Sequence, residues 1–157
     1  MKSLYFYNTD IGKIGIADNG KAITNVYFNE SPKLKDTEIK ETDLIKEAAQ
    51  QLKEYLAGKR KSFNIPLMPE GTEFQKSVWE ALQQIPYGKT CSYGEIAEKI
   101  GNPKACRAVG MANNKNPIGI FIPCHRVIGA NGKLVGYAGG LEMKEHLLAI
   151  EKINADK

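Results

Sequence analysis

Cys124, His125 and Arg126 stand side by side after an apolar run, Gly119-Ile120-Phe121-Ile122-Pro123, and Val127 and Ile128 follow them. A thiol next to an imidazole is the smallest set that makes a sulfur nucleophile, because the thiolate attacks and a nearby base takes its proton. The plain alternative is a small core residue, since free cysteines are among the most buried of side chains. Glycine and proline bracket the run, which reads as a buried strand. Pro123 has no N–H to give to a ladder, so the strand stops there and Cys124 sits where it opens into a turn. Adjacent side chains on a regular strand point opposite ways. His125 therefore serves Cys124 only through a water or through an irregular turn after Pro123.

The whole-chain totals narrow the setting. A chain of 157 residues with 42% hydrophobic and 25% charged residues holds one domain or two small ones with a real core. Its three cysteines, Cys91, Cys106 and Cys124, are an odd number without a C-x-x-C spacing. That speaks against a disulfide framework or a cysteine-rich metal site, and a reducing cytoplasm is expected. The first residues turn polar at Asn8 and Asp10, too soon for a signal peptide, and no stretch reaches the length of a membrane span. The net charge of +4 is uneven. Lys99, Lys104, Arg107, Lys115, Arg126 and Lys133 lie between positions 99 and 141, where there is no Asp or Glu. Such a one-signed stretch is the footprint of a polyanion-binding face.

The elements that must hold these residues can be read in order. Residues 4–28 are strand-like, and Asp18-Asn19-Gly20-Lys21 carries the Asn-Gly signal of a type I′ hairpin. Residues 30–41 read as a polar loop. Thr42 caps a helix that runs to about Ala57 and stops at Gly58, with Ile45, Ala48, Leu52 and Tyr55 on one face. Residues 59–71, with Pro66 and Pro69, form a connector, and the boundary falls between domains 1–69 and 70–157. Thr72 and Gln75 make a capping box for a helix carrying Phe74, Val78, Leu82 and Ile85, with Trp79 as core. Ser92 and Glu95 make a second box for a helix ending at Gly101. Asn102 then caps a further helix with Pro103 in its first position, running to Ala112. Two short helices joined at a glycine are a helix-turn-helix. The second has small residues and a lone Arg107, poor equipment for reading the major groove but suited to close approach in a minor groove. A last helix runs from Leu141 to about Ile153, and Glu151 near its end can pack against the Cys124 loop.

Ile122-Pro123-Cys124-His125-Arg126-Val127-Ile128 resembles the active-site signature of the O6-alkylguanine-DNA alkyltransferases, the methylated-DNA–protein-cysteine methyltransferases. The likeness extends through Ser92-Tyr93, the run from Asn102 to Gly110, Asn116-Pro117, the run from Gly136 to Gly140 and Lys144-Glu145, and so covers residues 72–151 in order. It implies an α+β protein. A small N-terminal α/β support domain (ribonuclease-H-like, antiparallel strands plus a helix) precedes a mostly helical DNA-binding and alkyl-acceptor domain. The implied reaction is single-turnover repair of duplex DNA carrying O6-alkylguanine. The alkyl group, chiefly methyl, passes irreversibly to Cys124 after the base is flipped out, with O4 of thymine left open as a further target. By resemblance His125 and Glu151 activate the sulfur, Asn116 holds the turn, Tyr93 rotates and hydrogen-bonds the base, and Arg107 fills the vacated gap. Lys104 and Ala105 join Arg107 and Tyr93 at the DNA. Tyr137 walls the substrate pocket with Ala138, where some members have serine, and Asn113, where others have an apolar residue. No cofactor or metal is expected, and the protein is expected to act as a monomer.

Activation of the thiol has a ceiling. Lowering its pKa by ~1.5 units would raise the thiolate fraction ~15-fold, but the weaker nucleophilicity of a less basic thiolate gives back about fivefold. In-line positioning and stabilisation of the leaving guanine must therefore contribute more. Two rivals make different demands: a module that recognises alkylated DNA without repairing it has no use for Cys124, and a Cys124–His125 hydrolase turns over repeatedly.

Overall fold

The computed structural model describes residues 2–30, 32, 35–134, 137 and 139–155. The chain divides into two units, Met1–Glu70 and Gly71–Lys157.

In the first unit β1 (Lys2–Thr9), β2 (Gly12–Asp18), β3 (Ile23–Phe28) and β4 (Thr37–Ile39) form one sheet in the order β3-β2-β1-β4. The first three strands pair antiparallel, and β4 runs parallel to β1. Residues 30–41 are thus not all loop. The open edge of β1 recruits β4, with Lys2 N–H donating to Asp36 O and Lys40 N–H to Leu4 O. The Asn19-Gly20 turn also differs from expectation, because only Gly20 takes positive φ (+89°). The Asn19 side chain accepts from the N–H groups of Lys21 and Ala22, so an Asx turn closes the hairpin in place of type I′. Phe6 and Gly15 face each other across β1 and β2, and a Cβ at Gly15 would stand 2.8 Å from the Phe6 ring. The helix α1 (Asp43–Leu56) packs Ile45, Ala48, Leu52 and Tyr55 on this sheet. Its cap Thr42 accepts from Ile45 N–H and donates to buried Asp18 at 2.6 Å.

The second unit contains α2 (Glu73–Leu82), β5 (Cys91–Ser92), α3 (Tyr93–Lys99), α4 (Cys106–Asn114), a single 3-10 turn (Cys124–Arg126), β6 (Val127–Ile128) and α5 (Leu141–Asn154). Both capping boxes form, at Thr72–Gln75 and Ser92–Glu95. Trp79 is 1% exposed, and its indole N–H donates to Ala112 O at 2.9 Å, locking α2 against α4. Helix α4 starts at Cys106, later than the cap at Asn102 implied. Asn102 O accepts from Ala105 N–H instead, so residues 102–105 close a tight turn before the helix begins.

Residues 119–122 are buried as expected but do not make a strand. Phe121 N–H donates back to Gly119 O across Ile120, whose φ is +73°, and Cys124 N–H donates to Ile122 O across Pro123 at φ −80°, ψ 64°. These are two successive three-residue turns. A β-branched residue at positive φ is costly, about 1–3 kcal/mol. The Asn116 side chain overrides that cost by standing in for a partner strand. Its Nδ2 donates to Ile122 O at 2.8 Å, and its Oδ1 accepts from Ile118 N–H at 3.0 Å.

Candidate active site

The inverse turn at Pro123 delivers Cys124 into the 3-10 turn, where three residues per turn set neighbouring side chains about 120° apart, not the 180° of a strand. Cys124 is 4% exposed and His125 is fully buried. His125 Nε2 lies 2.6 Å from Glu151 Oε2, and Arg126 grips the same carboxylate with two bonds, Nε to Oε1 at 2.8 Å and Nη2 to Oε2 at 3.1 Å. Gly88 N–H supplies a fourth donor to Oε1 at 3.1 Å, and Arg126 Nη1 donates to Ile85 O at 2.7 Å. One carboxylate on α5 therefore ties together the 3-10 turn and the loop after α2. A carboxylate has about four lone-pair sites, and all are met.

Burial alone would raise the Glu151 pKa, but the bonds from His125 and Arg126 outweigh it and hold the carboxyl at about 2. Glu151 is thus an ionised acceptor, so His125 Nε2 carries the hydrogen. Burial lowers the His125 pKa, against the pull of Glu151, and the ring is neutral with Nδ1 as its basic nitrogen. Arg126, not His125, is the cation of this cluster.

Burial also pushes the Cys124 thiol up to about 11, a shift that the Asn116 side chain and the charge on Lys144 oppose without overcoming. The sulfur of the DNA-free protein is a thiol, so the lowered pKa considered for activation is absent from this state. Iodoacetamide is expected to label exposed Cys106 ahead of Cys124 in the free protein. Labelling of Cys124 should rise about tenfold per pH unit up to about pH 10, measured by peptide mass. A Cys124 rate already level near pH 7 would contradict a protonated resting sulfur.

The other expected site residues fall into two groups. Asn113 (2% exposed) donates from Nδ2 to Cys124 O at 3.4 Å, and its Oδ1 is buried without a hydrogen bond. An unmet buried acceptor costs about 1–3 kcal/mol. Tyr93 opens α3 half-buried, with its ring over Gly110 of α4. Its hydroxyl pKa is raised by burial first and then by the proximity of Cys124 and Cys106. The hydroxyl of Tyr137 is closed in, and burial, then Cys124 and Glu151, push its pKa well up. These residues gather at Cys124. Lys104, Ala105 and Arg107 do not: Lys104 and Arg107 are exposed and Ala105 half-buried, at the start of α4. Ala138 lies outside the described residues. A cleft of about 140 Å³ between β5 and the turn after β6 is lined by Cys91, Ser92, Glu95 and Ile128 and does not include Cys124.

Two residues of this cluster were missed as site residues. The acid-free stretch places Arg126 among the cations of a polyanion-binding face, yet its side chain turns inward to Glu151. Lys99, Lys104, Arg107, Lys115 and Lys133 of that acid-free stretch are exposed. Lys144 is fully buried on α5 and donates to Val127 O at 2.6 Å. Burial lowers its pKa, and Cys124 acts in the opposite direction. The sequence holds no signal for either: Arg126 stands between His125 and Val127 and Lys144 between Met143 and Glu145, so position alone cannot tell them from surface side chains.

Residues 73–153 match the family model for the 6-O-methylguanine DNA methyltransferase DNA binding domain, and residues 4–69 match the ribonuclease-like domain of the same family. The chain is 55% identical over 148 residues to a methylated-DNA–protein-cysteine methyltransferase of Methanosarcina acetivorans, covering 92% of this chain and 95% of that one. It is 48% identical over 153 residues to the constitutive methylated-DNA–protein-cysteine methyltransferase of Bacillus subtilis, covering 93% of each. Among solved structures it resembles Mycobacterium tuberculosis OGT in complex with DNA, with a TM-score of 0.91 and 45% identity over 97% of this chain and 94% of that one.

Proposed function

The chain belongs to the 6-O-methylguanine DNA methyltransferase family, whose members repair DNA by moving an alkyl group onto a cysteine of the protein, and we propose that Cys124 is that cysteine here. The observation that carries this reading is the burial of one thiol beside a neutral imidazole whose far nitrogen is fixed by an ionised, fully paired carboxylate. The substrate is duplex DNA with O6-alkylguanine, chiefly O6-methylguanine. Sγ attacks the methyl carbon in line, the S–C bond forms as the C–O6 bond breaks, and the electron pair goes to the guanine. The thiol proton passes to His125 by way of a water. Guanine leaves as its anion and takes a proton from solvent at N1, and His125 returns its proton to solvent, so one proton moves in all. Asn116 holds the turn that aims the sulfur, Tyr93 binds the rotated base, and Tyr137 closes the pocket. The thioether is stable, so each molecule acts once.

The reacting groups all come from Gly71–Lys157 of one chain, which supports a monomer. Among the described residues no helix is long and apolar enough to cross a membrane, and free thiols suit a reducing cytoplasm. Titration with a duplex carrying one O6-methylguanine should add one methyl per protein, on the Cys124 peptide, and then stop. Continued turnover, or methyl on another residue, would refute the assignment.

The target carbon lies inside the base stack, so the nucleotide must leave it at a cost of a few kcal/mol. Arg107, exposed in the first turn of α4 among Cys106, Ala108 and Met111, is the residue to occupy the gap, with Lys104 and Ala105 against the strand. Arg107→Ala is expected to slow transfer from duplex about 10- to 100-fold while transfer from the free alkylated base changes less than about twofold. Equal losses on both substrates, in parallel rate measurements, would exclude the role.

A further inference from the structure

Met111 stands on the outer face of α4, 62% exposed. A single exposed apolar side chain is ordinary; its place is not. It follows Arg107 by four residues, so the two share one face of the helix, about 6 Å apart along the axis. Around them the surface is low, with exposed but short Cys106 and Ala108 and with Gly110, which has no side chain. A helix with its side chains is about 10–12 Å across, wider than a minor groove of about 6 Å. Only a side chain that projects reaches between the strands, and in the first two turns of α4 those are Arg107 and Met111.

Charge says what this face meets. Exposed Lys104, Arg107 and Lys115 lie on either side of Met111 in the chain, and positions 99–141 hold no Asp or Glu. An apolar side chain set among cations fits a groove whose rims are phosphates and whose walls are deoxyribose rings. A thioether is flexible and only a weak acceptor, so it packs against an uneven surface without reading base edges. A contact of that kind is indifferent to sequence, as repair of a lesion that can arise at any guanine requires. We infer that Met111 is a DNA-contacting residue, which packs its thioether against the sugars of the minor groove one helical turn beyond the gap that Arg107 fills and supplies affinity that does not depend on charge. The inference rests on the reading of Cys124 as the alkyl acceptor from duplex DNA. Met111 takes no part in the transfer itself.

The test measures methyl transfer to full-length protein from a duplex carrying one O6-methylguanine, below saturation and across a salt series, with the free O6-methylguanine base as second substrate. Met111→Ala should slow transfer from the duplex about tenfold, the size of one buried apolar side chain. Transfer from the free base should change less than about twofold. Met111→Leu, apolar and of similar volume, should stay within about twofold of the wild type on both substrates. The slope of log rate against log salt should be the same for wild type and Met111→Ala, because no phosphate is neutralised, whereas loss of a lysine at a phosphate lowers it by about one. The assignment is overturned if Met111→Ala matches the wild type on duplex, or if Met111→Leu loses as much as Met111→Ala. It is overturned equally if the free base is slowed as much as the duplex, or if the salt slope falls with the rate. Should wild-type protein take no methyl from either substrate, the alkyl-acceptor reading itself falls and this inference falls with it, a result plainly different from an unchanged Met111→Ala rate.

Discussion

Protein carrying Cys124→Ser is expected to take up no methyl from O6-methylguanine duplex while binding that duplex and melting as the wild type does. The substitution removes one sulfur from a buried site and leaves Cys91 and Cys106 in place. The expectation runs against simple reactivity. With its thiol up at about 11, Cys124 is poorly ionised at neutral pH, at a cost of about 5 kcal/mol to form the thiolate in the DNA-free protein. Cys106 is exposed and open to any soluble electrophile. On the proposed assignment, methyl transfer to Cys124 alone is therefore a matter of position. Holding a carbon in line with a fixed sulfur can contribute about 7–11 kcal/mol, enough to outweigh the ionisation cost. In the proposed reaction His125 would reduce that cost further once the base is bound, because its neutral ring can take the proton and its imidazolium form would face ionised Glu151. Methyl found on Cys106 or Cys91 of the variant, by peptide mass mapping, would show that exposure and not alignment chooses the acceptor.

The second large effect is expected from Glu151→Gln, although the side chains have the same shape. The Glu151 carboxylate accepts four bonds from donors on Gly88, His125 and, twice, Arg126. An amide can turn only one oxygen to them, and its NH2 then meets two donors head-on, while Arg126 keeps a buried charge without its counterion. Breaking a buried pair in this way costs about 3–5 kcal/mol, which lowers the melting temperature of a unit this size by on the order of 15 °C. Methyl transfer should fall with it, since the Glu151 carboxylate holds the His125 tautomer at Nε2. A variant that melts within about 3 °C of the wild type would rule out the four-donor arrangement.

The pH dependence follows from the same groups. Glu151 falls from 4.5 to about 2 on folding, so its contribution, about 3 kcal/mol, is complete above pH 4.5 and is lost as the pH drops toward 2. His125 is lowered from 6.5, so the unfolded chain takes up its proton first, and stability begins to decline below pH 6.5. Both groups make the wild type weaker in acid. Glu151→Gln should lose the lower of the two steps.

Much of this was legible because some signals are local. The capping boxes at Thr72–Gln75 and Ser92–Glu95 need only residues three apart, and both form where the chain spelled them. The apolar face of α1 is a matter of helical period. The expected strand at 119–122 failed for a non-local reason. Burial of an apolar run does not supply it with a partner strand, and the Asn116 amide, a side chain and not a strand, satisfies its backbone. The strand β4 was missed for the converse reason, since the edge of β1 and not its own residues called it into being.

By itself the sequence determined which side chains are available and in what order: the thiol, the imidazole, the acid near the end of the last helix, the arginine at the start of α4 and the acid-free stretch around them. Their kinship with a family follows from that order. Only the tertiary structure decided what each is worth. It turned Arg126 inward to neutralise Glu151, made His125 neutral, raised the Cys124 thiol to about 11 and left Asn113 Oδ1 unmet. The physical reason is that charge and hydrogen-bonding capacity are set by burial and by partners far apart in the chain, such as Arg126 and Glu151, and residue type alone specifies neither.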